Sequence, residues 1–377
     1  MVIRGQMDRM RYPENIHRIT KCGRRPIGAK RNVSTSNGRK ISTTPSNCVD
    51  VCYSPAHETA HFGGLMQCGS GWACPVCSAK LSERRRIEIA QGLDYVYSLG
   101  DKKAVMITLT FPHSKWDKVG DLMPKQKAAF KLLRGGRPYA KLKHDIGYTY
   151  FIRSLEITYG ESGWHPHSHE LWVVDKDADP DEIRERVTEI WANACKRSGL
   201  LQPTRIDDFR RHAVHVIDKA TSSDYMAKHS DPDDDDRGAW GVDRELASAS
   251  SKRSQGIHPF KLLRYSANGC MESRHLYVEY VLATKGVAQI YWSKGFKAAA
   301  LVDEKSDDEL VEEQEEDAIK IATIEPREWT AVIDEEAQAD ILTIAEDEGF
   351  RGLERWFEDR GLRPPIRPRS LSQESPP

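Results

Sequence analysis

The sequence predicts an α+β fold: a central antiparallel sheet with helices on one face, preceded by a Cys-rich module and followed by a helical segment. Three observations carry this. Two extended runs, 150–159 and 164–174, flank Gly160-Glu161-Ser162-Gly163, the pattern of a hairpin. Strand-like and helix-like stretches surround it in an order that suits helices layered on an antiparallel sheet. Cys48, Cys52, His57, His61, Cys68, Cys74 and Cys77 crowd together upstream.

Residues 1–47 are basic, rich in Gly, Ser and Thr, and without periodicity, which predicts a largely disordered arm. In the module 48–98, Cys74-Pro75-Val76-Cys77 has knuckle spacing, and with Cys68 it offers three thiolates to a tetrahedral Zn²⁺. Cys52 is the first choice for the fourth ligand, over Cys48 and the two histidines. The bland alternative is a reduced cluster that merely packs. A helix from Ser78 carries Lys80, Arg84, Arg85 and Arg86, placed to lie along DNA or to form a wet face.

The core, 99–235, reads as strand 104–111, helix 124–134, hairpin 150–174, helix 180–197, strand 213–217 and helix 219–229. Asp179 before Pro180 is the expected N-cap. Cys195 follows an apolar stripe at helical spacing and belongs to the core. The acidic run 231–236 ends this region. An extension, 236–300, holds strand-like alternation at 275–282. An acidic linker (301–325), a small helical module (326–363) around Ile341, Leu353, Trp356 and Phe357, and a disordered tail (364–377) complete the chain.

The chemistry concentrates in Trp164-His165-Pro166-His167-Ser168-His169, where alternate residues of a strand share a face. If Glu161 and Ser162 form the hairpin tip, Glu156 lies directly opposite His167, with Cβ atoms about 5 Å apart. His169 is two places along the same face. One carboxylate and two imidazoles suit Mg²⁺ or Mn²⁺, and equally Zn²⁺ or Fe²⁺; the alternative is a His-rich strand without metal. Further on, Tyr225 and Lys228 are i and i+3 neighbours if helical. A tyrosine and a lysine near a divalent cation can attack a phosphodiester, although such a pair alone is usually a packed ring with a solvated lysine.

Together these elements resemble the HUH endonuclease superfamily, and within it the initiator (Rep) proteins of rolling-circle replication in bacterial plasmids and phages. Met106-Ile107-Thr108-Leu109-Thr110-Phe111, Trp164 through Leu171, and Tyr225-Met226-Ala227-Lys228 carry the resemblance in the family's order. Cys68 through Cys77 and Tyr291-Trp292-Ser293-Lys294-Gly295 extend it over residues 50–300. The resemblance implies a ferredoxin/RRM-like topology whose histidine hairpin faces the tyrosine helix. It implies His167 and His169 as metal ligands, Glu156 as the third, and His165 as an outer or phosphate-contacting group. Tyr225 would form a 5′-phosphotyrosine and leave a free 3′ hydroxyl. Ser168 stands where the family usually has a hydrophobic residue. Thr221 stands where some relatives carry a glutamate that activates water at termination; Asp218 and Asp224 are near enough to substitute, or to cap the helix.

The formal net charge of −1 conceals segregation: residues 1–45 hold eleven Lys/Arg against two Asp/Glu, and 303–317 hold ten Asp/Glu against one Lys. A basic arm can meet phosphates although the total balances. No 18-residue apolar run occurs, and no apolar core follows the basic start, so neither a membrane span nor a secretory signal is expected. These features make a cytoplasmic protein with reduced cysteines the expectation; the family resemblance implies single-stranded or hairpin origin DNA as the substrate, with a host helicase and DNA polymerase as partners. The alternatives are a relaxase- or transposase-type strand transferase and a non-catalytic, zinc-dependent DNA-binding regulator.

Overall fold

Val49 and Val51 alternate with Asp50 and Cys52, so β1 (Val49–Ser54) buries one row of side chains and pairs antiparallel with β2 (Thr59–Gly63). The computed structural model describes residues 18–27, 32–34, 40–42, 47–55, 58–218, 220, 256–312 and 318–368. They belong to two units: Ser70–Leu310, and Asn15–Gly69 with Val311–Pro377.

In the first unit, α1 (Pro75–Ser98) starts three residues before the expected Ser78, with Pro75 in the first turn where its missing N–H leaves nothing unpaired. The chain continues through β3 (Lys102–Leu109), α2 (Val119–Arg134), α3 (Arg137–Asp145), β4 (Phe151–Gly160), β5 (Gly163–Asp175), α4 (Pro180–Ser198), α5 (Ile206–His212) and β6 (Val214–Ile217). The expected helix 219–229 and acidic run 231–236 lie outside the described residues. Next come α6 (Pro259–Ala267), α7 (Met271–Ala283) and β7 (Ile290–Trp292). The sheet order is β6-β3-β5-β4-β7, every neighbour antiparallel.

Helices cover both faces of this sheet, which corrects the one-face expectation. On one face Ala104, Met106, Ile152, Leu171 and Val173 meet Ile89, Leu93 and Val96 of α1. This helix, expected within the Cys-rich module, instead belongs to the sheet's core, because its apolar residues recur at helical spacing and close the sheet. On the other face Arg134 of α2 donates to both oxygens of Glu170 at 2.6 Å, and Trp172 Nε1 donates to the same carboxylate at 2.8 Å. Phe130 of α2 stacks on Trp191 of α4, centroids 5.5 Å apart. Asp179 caps α4 by accepting from the Asp181 N–H at 2.9 Å, and Gly199 ends it in the left-handed conformation. Burial of Cys195 inside α4 agrees with its place in the apolar stripe.

The stretch 275–282, expected as strand, is helix α7. Its aromatic and β-branched residues favour strands locally, but Ser273, Tyr277, Tyr280 and Val281 are buried at helical spacing, and packing overrides the propensity.

In the second unit, β8 (Ile319–Ile324) adds to β1 as the third strand, in the order β8-β1-β2. Thus the far end of the region read as a linker is structured. Helices α8 (Pro326–Asp334), α9 (Gln338–Asp347) and α10 (Gly349–Glu358) share one core with the strands, built on Val49, Val51, Trp329, Ile341, Leu353 and Phe357. The boundaries 48–98 and 326–363 therefore divide residues that pack together. Neither end can bury its apolar face alone. Residues 18–27, read as part of a disordered arm, hold a short 3₁₀ turn with Ile19 and Cys22 buried. No helix among the described residues is long and apolar enough to cross a membrane.

Candidate functional site

The turn Glu161-Ser162 sets the register of β4 against β5, pairing Gly160 with Gly163 and Glu156 with His167. A left-handed Gly163 is required there (φ 85°): a Cβ would come within 2.8 Å of Lys115 Cα. Alternation then places Thr108, Ser154, Glu156, His165, His167 and His169 on one face, beyond the end covered by α1.

Glu156 Oε2 lies 3.1 Å from His167 Nε2 and 3.2 Å from His169 Nε2. Both imidazoles are fixed from behind. His167 Nδ1 sits 3.1 Å from the His165 carbonyl, and His169 Nδ1 sits 2.9 Å from Thr108 Oγ1. Because a carbonyl only accepts, His167 Nδ1 carries the hydrogen, and a neutral His167 turns the lone pair of Nε2 toward a carboxylate. That contact is unfavourable unless the ring is protonated or a cation lies between the two groups. These donor atoms all lie within 4.8 Å of one another, so the residues fit a divalent cation with mixed N/O preference. Burial opposes the charge on Glu156, but the adjacent His167 and His169 outweigh it and hold the carboxyl well below its usual range.

A fourth imidazole, which sequence reasoning missed, extends the row. His113 donates from Nδ1 to the Ser162 carbonyl at 3.0 Å, and its Nε2 lies 3.0 Å from His165 Nδ1. His113, His165, His167 and His169 follow one another edge to face, with centroids 4.7, 4.9 and 5.0 Å apart. Burial, then the neighbouring His167 and His113, push His165 down to about 3, so it is neutral at physiological pH. The sequence offers one hint of His113: it follows the first motif strand, whose end must lie beside the hairpin.

Tyr225 and Lys228 lie outside the described residues. Asp218, weighed for termination, is bound to Lys103 at 2.8 Å. On α1, Arg85 pairs with Asp307 and Arg86 with Glu83, while Lys80 is exposed and Arg84 half-buried.

Cys68, Cys74 and Cys77 come together with Cys22, not Cys52, and the four buried Sγ atoms lie within 4.8 Å of one another. Residues 22–27 run antiparallel to 64–68 through hydrogen bonds from Gly23 N to Met66 O and Met66 N to Arg25 O, and the Cys68 N–H points at Cys22 Sγ at 3.3 Å. Cys52 is held elsewhere by β1, opposite His61 and Lys320, where burial and Asp50 raise its thiol pKa. Cys48 stays half-buried at the start of β1, and His57 lies outside the described residues. A signal for Cys22 existed: of the eight cysteines, Cys22 and Cys68 are the two followed by glycine. Both glycines, Gly23 and Gly69, adopt φ near +65°. Four thiols so placed are a set of the kind that holds Zn²⁺.

Comparison with known proteins gives the same direction. The chain is 31% identical over 298 residues to "Protein rep" of Streptomyces lividans, covering 61% of this chain and 63% of that one. It is 28% identical over 171 residues to "Neomycin resistance protein" of Streptomyces cyanogenus, covering 36% and 39%, so the match spans less than two thirds of either relative's length. "Protein rep" of Staphylococcus aureus is 25% identical over 167 residues, covering 43% and 68%. No solved structure matches. Residues 66–196, the stretch holding Cys68, Cys74, Cys77, Glu156, His167 and His169, match the family described as "Replication protein".

Proposed function

We propose that this chain initiates rolling-circle replication by nicking single-stranded or hairpin origin DNA, and that a structural Zn²⁺ sits on Cys22, Cys68, Cys74 and Cys77. The observation that carries this reading is the convergence of Glu156, His167 and His169, each imidazole tied from behind so that its Nε2 faces the carboxylate. Similarity to replication proteins over residues 66–196 supports the same reading.

Mg²⁺ or Mn²⁺, held by Glu156, His167 and His169, would supply Lewis-acid polarisation of the scissile phosphate. Thr108 and the His165 carbonyl keep the two ligand rings in position for it. The Tyr225 oxygen attacks phosphorus, the bond to the 3′ oxygen breaks, and the proton lost from the phenol ends on that leaving oxygen. A 5′-phosphotyrosine and a free 3′ hydroxyl result, the latter a primer for a host polymerase working behind a host helicase. Lys228 stabilises the charge that develops in transit.

Purified protein, Mn²⁺ and the single-stranded origin region of its own replicon, run on a denaturing gel, test this. A DNA-linked band in the wild type that is missing from Tyr225→Phe supports nicking. Tight binding and a loaded metal with no band would leave a zinc-dependent DNA-binding protein without catalysis.

A further inference from the structure

The loop from β3 to α2 carries Trp116, which is 80% exposed and the most exposed Trp, Tyr or Phe among the described residues. An indole in water is normally a cost, yet this one is displayed on a fixed turn. The Ser114 N–H and Oγ–H both donate to Asp117 Oδ2, at 2.7 and 2.9 Å, and the Asp117 N–H returns to the Ser114 carbonyl at 3.0 Å. The turn is also fastened to the histidine hairpin. His113 holds the Ser162 carbonyl and His165, and Lys115 passes so near Gly163 that only glycine fits. Lys115 Nζ lies 4.8 Å from the Trp116 ring, and Lys118 is exposed one residue beyond Asp117. An exposed aromatic ring on a hydrogen-bonded turn, with one lysine over it and a second two residues further along the chain, attached to the end of a metal-binding face, matches the needs of an unpaired strand: a surface for a base and charges for its phosphates.

We propose that the 113–118 turn is a base-stacking platform, with Trp116 stacking on one unpaired base of the substrate strand and Lys115 and Lys118 meeting the phosphates on either side. This rests on the nuclease reading above and adds a positioning residue to it. The strand is gripped where it approaches the metal, so the scissile phosphate is set by a fixed distance along the backbone from the stacked base. A duplex, whose bases are already stacked on one another, gains nothing from the ring.

The test measures anisotropy of a fluorescein-labelled single strand of about 20 nucleotides, and of the duplex of the same sequence, with full-length wild type, Trp116→Ala and Trp116→Phe. Trp116→Ala should weaken single-strand binding roughly five- to hundredfold, leave duplex binding and Mn²⁺ affinity unchanged, and be largely rescued by Trp116→Phe. Stepping one abasic site along the strand should reveal a single position that weakens wild type and leaves Trp116→Ala unaffected. Equal single-strand affinity of wild type and Trp116→Ala, while wild type still nicks, overturns this inference and spares the nuclease reading. Parallel loss of single-strand and duplex affinity overturns base stacking as well. A wild type that neither prefers single strands nor nicks them overturns both.

Discussion

Glu156 stands directly opposite His167 across the β4–β5 hairpin, and its Oε2 is shared between the Nε2 atoms of His167 and His169 at 3.1 and 3.2 Å. Replacing either histidine by alanine should abolish Mn²⁺ binding and DNA cleavage together. Thr108→Val, which leaves the ligands in place but frees the His169 ring, should weaken Mn²⁺ affinity by about ten- to hundredfold. Isothermal titration gives the answer, and an unchanged affinity in Thr108→Val would remove its orienting role.

Cys22 and Cys52 make opposite predictions. Cys22→Ser should lose stoichiometric zinc as measured by elemental analysis, and Cys52→Ser should retain it. Zinc kept by Cys22→Ser and lost by Cys52→Ser would reverse the assignment.

Ser168 lies between the two ligand histidines but on the opposite face, 0% exposed, and its Oγ finds no hydrogen-bond partner among the described residues. Removing a buried, unpaired hydroxyl relieves its desolvation cost, so Ser168→Ala should stabilise the fold by about 1 kcal/mol without altering metal affinity. Urea unfolding checks this; destabilisation would mean the hydroxyl has a partner.

The folded state holds His165 down to about 3, whereas an unfolded chain protonates it near the ordinary value of about 6.5. Between these values the unfolded state binds the extra proton, so the metal-free protein loses stability as pH falls from about 6.5 toward 3. The contribution is at most about 1.4 kcal/mol per pH unit. His165→Gln should flatten the pH dependence of the urea midpoint between pH 7 and 5. Equal slopes in the two proteins would count against it.

Lys228→Ala should slow single-turnover nicking by about a hundredfold without touching DNA affinity. A rate equal to wild type would leave Tyr225 without this partner.

Much of the hairpin was legible in the sequence, because Gly160 and Gly163 bracket a two-residue tip and every pair upstream follows from counting. The caps of α4 were legible for a similar reason: Asp179, Pro180 and Gly199 act locally. What could not be read depends on distant partners. His113 reaches His165 only because β3 and β5 are neighbours. Cys22 sits in a basic, aperiodic segment whose order comes from pairing with residues 64–68. The α7 segment has strand-favouring residues, and only its buried positions reveal a helix. β8 was hidden at the edge of an acidic stretch, since a strand of six residues gains its stability from β1 rather than from its own composition.

Strand β5 serves two faces with one sequence: odd-numbered residues from His165 to His169 line the cation-site face, while on the far side Glu170 accepts from both Arg134 and Trp172. Loss or gain of one residue within this strand would invert every side chain beyond it, burying imidazoles and exposing an ion pair at a single stroke. Length variation among descendants of this chain should therefore spare β5 entirely and collect in the loops, however freely individual letters of the strand drift.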